Sequence, residues 1–75
     1  MTTSGAIQIG EDRVEYWIRI DDEPSEQGIN GGRITRLTMK LNGTWDYRFE
    51  DGEATLQTEK SATMRALKVL IEAYN

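Results

Sequence analysis

The 75-residue chain contains no cysteine and no histidine. Lack of cysteine excludes a disulfide staple, a thiolate metal ligand and a sulfur nucleophile. Lack of histidine removes the commonest general base and the commonest transition-metal ligand. Ser4, Ser25 and Ser61 therefore have no imidazole to activate them. There is a single proline, and no apolar run approaches the roughly 20 residues needed to span a bilayer. Residues 1–30 show no signal-peptide pattern, so the expectation is a cytoplasmic protein with no membrane role. The length predicts a single domain over 1–75, with the small polar stretch 1–5 disordered. A chain this short buries only about 60–65% of its unfolded surface, so its stability should be modest.

The net charge of −4 and pI near 4.7 argue against a protein whose main task is gripping phosphate backbones, and suit solubility instead. The acidic runs Asp21-Asp22-Glu23 and Glu50-Asp51-Gly52-Glu53 lack EF-hand spacing and read as solvated turns. The Gly-rich run Gly28 to Arg33 lacks the Lys-Ser/Thr of a P-loop and the spacing of a dinucleotide fingerprint. The residues thus point to no catalytic, metal or cofactor site, and the protein is read as a non-enzyme.

What the chain does have is alternation. Val14, Tyr16, Ile18 and Ile20 recur every second residue, as do Leu37, Met39 and Leu41, and Trp45, Tyr47 and Phe49; period two marks strands buried on one face. Asn42-Gly43 between the last two runs is a strong hairpin signal. A two-residue loop would set the apolar side of one strand against the polar side of its partner. The expectation is therefore a three-residue loop pairing Met39 with Trp45 and Leu37 with Tyr47. Ile7 and Ile9 suggest a short first strand, pairing Ile9 with Val14 across an even loop.

From Thr58, read as the helix N-cap with Ser61 as competitor, Thr63, Ala66, Leu67, Leu70, Ile71 and Tyr74 recur on one helical face. The fold expected is α+β: a three- or four-stranded antiparallel sheet with one C-terminal helix packed on one face. Its core should be Val14, Tyr16, Ile18, Ile20, Leu37, Met39, Trp45, Tyr47, Phe49, Leu67, Leu70 and Ile71, with Leu56 a further contact.

The other face should display Arg13, Glu15, Trp17, Arg19, Asp21, Arg36, Thr38, Lys40, Asp46, Arg48 and Glu50. Basic residues are concentrated there, and Trp17 is a large aromatic out of place. The punctuated stretch 22–32 reads as a long irregular loop. Its Ile29 could pin it to the sheet, and the favoured arrangement folds it back over Trp17.

The stretch Pro24-Ser25-Glu26-Gln27-Gly28-Ile29-Asn30-Gly31-Gly32-Arg33-Ile34-Thr35-Arg36-Leu37, after the Tyr16-Trp17 strand, resembles a family of small uncharacterised bacterial and phage-associated proteins; the likeness spans Tyr16 to Tyr47. That family has no assigned activity, so no functional residue carries over. The resemblance implies a mobile-element accessory protein that binds another macromolecule, and draws attention to Pro24, Ser25, Gly28, Ile29, Gly32 and Arg33.

The functional expectation is an interaction module. It would bind a protein partner through the 22–33 loop and the Trp17/Arg19/Arg36 face, with Arg33, Arg48 and Ile29 contributing. The alternative is a nucleic-acid-binding accessory protein using the same basic-aromatic face. The chain itself is expected to be a monomer or an edge-strand homodimer.

Overall fold

A computed structural model describes residues 1–75. Five strands form an antiparallel meander in chain order: β1 (Thr2–Ile9), β2 (Asp12–Ile20), β3 (Ile34–Leu41), β4 (Thr44–Glu50) and β5 (Glu53–Leu56). A single helix, α1 (Ser61–Tyr74), packs on one face over β1, β2 and β3. The α+β architecture stands as read, with five strands in place of three or four. The added strand β5 follows Asp51-Gly52, where φ is +47° and +93°. This is the backbone of a two-residue type I′ hairpin rather than a simple acidic turn.

The N-terminal five residues do not fray: Thr2 to Gly5 begin β1. Met1 exchanges backbone bonds with Ile20, its amine donating at 2.9 Å and its carbonyl accepting at 2.8 Å. The β1–β2 loop is Gly10-Glu11, so Ile7 rather than Ile9 lies opposite Val14. Gly10 has φ of +60° and Glu11 does not share a positive φ, the arrangement of a II′ turn with glycine first.

Alternation delivers the core largely as expected. Val14, Ile18, Ile20, Leu37, Met39, Tyr47, Phe49 and Leu70 are buried, joined by Ile29, Ile34, Ala62 and Ala66. Tyr16, Leu67 and Ile71 sit half-buried around them. Trp45 and Leu56 are corrections, since both are exposed. The helix starts at Ser61, and Lys60 occupies the cap position without a side-chain bond. Thr58 does not cap the helix; its Oγ1 donates to Asp46 and accepts from Lys60 N–H. It thereby ties the β5–α1 connection to β4.

The 22–32 loop folds to the helix side of the sheet, not over Trp17. It contains a short 3₁₀ turn, η1 (Ile29–Gly31), which drops Ile29 into the core. Asn75 clasps it from the helix C-terminus: Asn75 Nδ2 donates to the Ile29 carbonyl at 2.8 Å, and Ile34 N–H donates to Asn75 Oδ1 at 3.0 Å. These bonds satisfy backbone groups that packing has taken out of water.

Burial also sets a pH dependence. Desolvation raises the Tyr16 phenol above 10.0, helped by the neighbouring Tyr74, and burial raises Tyr47 likewise. A phenol whose folded pKa is raised favours the native state while neutral. That contribution is intact below pH 10.0 and is lost as pH rises from there towards the folded values. Denaturant melts across this range should show stability falling above pH 10, at up to about 1.4 kcal/mol per pH unit for each phenol. The Tyr16→Phe, Tyr47→Phe pair should flatten the slope.

Candidate functional site

The face of the sheet turned away from α1 is open, and its geometry begins at the β3–β4 turn. Asn42 and Gly43 both have positive φ, +49° and +87°, so the turn is the two-residue I′ type and not the expected three-residue loop. Asn42 holds it in place by accepting the Arg13 N–H at 2.8 Å on Oδ1 and donating to Asp12 at 2.9 Å. Leu41 therefore faces Thr44, and Lys40 faces Trp45 on the open side.

One pair later the register shifts, Met39 meeting Tyr47, with Asp46 the extra residue. A bulge of this kind lets a strand switch which residues face the core. It reconciles the tight turn with a buried Tyr47 and Phe49. The same device sends Trp45 outward.

Trp45 arrives beside Trp17. The indole centroids are 5.5 Å apart with the planes tilted 47°, a favourable aromatic geometry. Lys40, on the strand between them, places Nζ 4.6 Å from the Trp45 ring and 5.9 Å from the Trp17 ring. Arg48 lies 5.3 Å from the Trp45 ring. Each cation–π contact at an exposed site is worth about 0.5–1 kcal/mol. Even so, the indoles remain 39% and 44% exposed, and Leu56, opposite Arg48 on β5, is 39% exposed. The chain's two tryptophans thus stand together, uncovered, at the middle of the open sheet.

Apart from Arg13, the basic residues of this face divide into two sets. Arg36 is bound to Glu50 at 2.6 Å. Arg19 is bound to Asp51 at 3.0 Å, and its Nε donates to Thr35 Oγ1, which in turn donates to Asp21. Thr35 is the extra residue at the β2–β3 register shift, so Arg19 braces a bulge. Lys40 and Arg48, by contrast, have no carboxylate within ion-pairing distance and rest on the indoles. Arg19→Ala should lower stability by about 1 kcal/mol, the partly exposed bonds being screened, while leaving the Trp17–Trp45 near-UV circular dichroism unchanged.

Of the residues singled out from sequence, Trp17 and Arg48 join the cluster. Arg19 and Arg36 share the face but are occupied by ion pairs. Ile29 is buried on the opposite side of the sheet and is not part of the surface. Arg33 precedes β3 with its Nε buried and unbonded, and takes no part in the aromatic group. Trp45, expected in the core, belongs to the site, as does Lys40, expected on this face but not among the binding residues. The signal for them was Asn42-Gly43 itself, whose I′ preference places the residues flanking the loop in direct register.

On the helix side, where α1 leaves β4 and β5 uncovered, lies a shallow 330 Å³ groove lined by Ile29, Tyr47, Phe49, Ala54, Met64 and Leu67 among others. It holds no charged side chain, and nothing in its lining suggests chemistry. No helix of the chain is long and apolar enough to cross a membrane.

The chain belongs to the family described as Domain of unknown function (DUF7678), whose model matches residues 1–75. No curated protein and no solved structure matches it.

Proposed function

We propose that this member of an unassigned family is a non-catalytic interaction module that binds a protein partner through the open sheet face centred on Trp17, Trp45, Lys40 and Arg48. The observation that carries the reading is the pair of adjacent, exposed tryptophans on a face that neither helix nor loop covers. Trp and Arg are the residues most enriched at binding hot spots, where a partner desolvates them. Leu56 extends the apolar area, and the ion pairs of Arg19 and Arg36 form a polar margin of the kind that surrounds such cores. The phage or bacterial accessory role implied by the 24–37 stretch, and a cytoplasmic setting, are consistent with a small adaptor of this kind.

A second reading, single-stranded nucleic acid on the same face, is favoured by one observation: Lys40 and Arg48 lack carboxylate partners. It ranks below the first because both cations already lie against the Trp45 ring that a base would stack on, and the chain as a whole is acidic.

The test is affinity capture from source-cell lysate with wild type, with Trp17→Ser plus Trp45→Ser, and with Val69→Ser on the exposed side of α1. The expected result is one protein held by wild type and the α1 variant and lost from the tryptophan variant, with affinity at least about 30-fold weaker on purified components. Identical capture by all three overturns the reading. Quenching of the tryptophan fluorescence by an oligonucleotide, reversed by salt, would install the second reading in its place.

A further inference from the structure

The two edges of the sheet differ in kind. β5 is short, opens on Glu53 and is interrupted by a register shift against β4, all devices that blunt an edge. β1 has none of these. Its eight residues, Thr-Thr-Ser-Gly-Ala-Ile-Gln-Ile, include no charge and no proline, and its register against β2 runs unbroken from Thr2 to Ile9. In a chain that is 29% charged, this stretch is the exception.

Hydrogen-bond parity tells which backbone groups of β1 are free. Met1 and Ile20 exchange both bonds, and antiparallel pairs alternate. Residues 1, 3, 5, 7 and 9 therefore bond to β2. Thr2, Ser4, Ala6 and Gln8 point their N–H and C=O away from the sheet, and none of the turn or loop backbone bonds uses them.

We infer that β1 is the self-association edge of this protein, pairing antiparallel with β1 of a second copy to make a continuous ten-stranded sheet. The register follows from two requirements. Opposed residues must lie on the same face, and every outward backbone group must find a partner. Both are met when Ser4 of one copy faces Ala6 of the other, Thr2 faces Gln8, and the two-fold axis passes between the two Gly5 residues. Sliding by two residues leaves Thr2 unpaired in one direction and Gln8 in the other. A second copy suits this edge better than a charged partner because the pairing sets no like charges against each other.

Gly5 fits the axis for a steric reason. A Cβ there would lie 2.7 Å from the Tyr16 hydroxyl, so the Tyr16 ring covers the glycine from the core side, and two such rings would flank the axis on the helix face. Because that axis is perpendicular to the sheet, both tryptophan faces emerge on the same side. The dimer would present its partner with two copies of the surface, whose joint binding exceeds that of either alone. The inference does not depend on what that surface binds.

The test is sedimentation equilibrium of the full chain at concentrations up to about 1 mM, on wild type, Ala6→Pro and Ala6→Lys. Proline at position 6 removes an outward N–H and no β1–β2 bond, so the protomer keeps its ladder. Lysine adds charge to the edge without touching the backbone, and keeps the test valid if the proline variant fails to fold. The expected result is wild type moving from 8.6 kDa towards twice that mass, with the folded variants remaining at the lower mass. Wild type that stays at 8.6 kDa throughout, or variants that dimerise as wild type does, would overturn the inference.

Discussion

Leu37→Ala is expected to lower the unfolding free energy by about 3 kcal/mol, within the range for emptying a buried leucine site. Leu37 is completely buried, and sits on the central strand with Ile18 opposite on one side and Phe49 on the other. Neither strand can shift to fill the void without breaking its ladder, so the cavity term applies nearly in full. A domain of this length holds only about 4–11 kcal/mol in total, and the loss should lower Tm by roughly 12–24 °C. Thermal and urea unfolding of the variant will measure it. A decrease under about 1 kcal/mol would mean that the core does not close over β3 as described.

Gly28→Ala should be nearly as damaging, by a different route. Gly28 has an ordinary φ of −87°, so backbone conformation is not the issue. A Cβ there would overlap the carbonyl of Gly32, and backbone cannot rotate out of the way as a side chain can. The loop would have to open, undoing the Ser25–Gly32 backbone bond, the Asn75 clasp and the seating of Ile29. The expected loss is about 2–3 kcal/mol, with hydrogen exchange and proteolysis rising first at residues 22–33. Glycine 10 makes the contrast. Space around it is open and only its positive φ resists alanine, so Gly10→Ala should cost about 1 kcal/mol. Equal effects at the two positions would show that the loop is not packed as the geometry has it.

Both predictions rest on features that differ in how plainly they can be read from sequence. The alternation in β2 and the spacing of Thr63, Ala66 and Leu70 reveal a one-faced sheet and the helix that covers it, because burial imposes a fixed period on each element. The register of β3 on β4 is not legible in this way. A two-residue loop at Asn42-Gly43 opposes apolar to polar residues unless a bulge intervenes, and the extra residue Asp46 supplies that bulge. Bulges leave no periodic trace, and three of the four strand pairings here contain a register shift.

The same bulge decides the site. With Trp45 in the core, Trp17 would be a lone aromatic in need of cover; outside the core, Trp45 is its neighbour. Ile29 does pin its loop to the sheet, but on the helix side rather than over Trp17. Its loop is positioned by Asn75, 46 residues away in the chain, a contact that local pattern cannot anticipate. The short strand β5 is marked by Asp51-Gly52 and by a single alternating pair, Ala54 and Leu56, over only four residues, the least that period two can signal.

The aromatic cluster also separates stability from function. Trp17 and Trp45 are each about two-fifths exposed, so truncating either forfeits chiefly the ring–ring and cation–π contacts, about 0.5–1.5 kcal/mol. A surface kept for folding alone would show its main effect there. A surface kept for binding would show it in the complex.

The central claim, that the open face around Trp17 and Trp45 is where the protein engages its partner, is tested most directly by cross-saturation NMR on the labelled protein bound to the partner retained in affinity capture. The account predicts saturation transfer to the Trp17 and Trp45 indole N–H groups and to the amides of residues 38–40 and 45–48, with α1 and residues 22–33 unaffected. Transfer concentrated on α1 or the 22–33 loop, with both indoles unchanged, would contradict it.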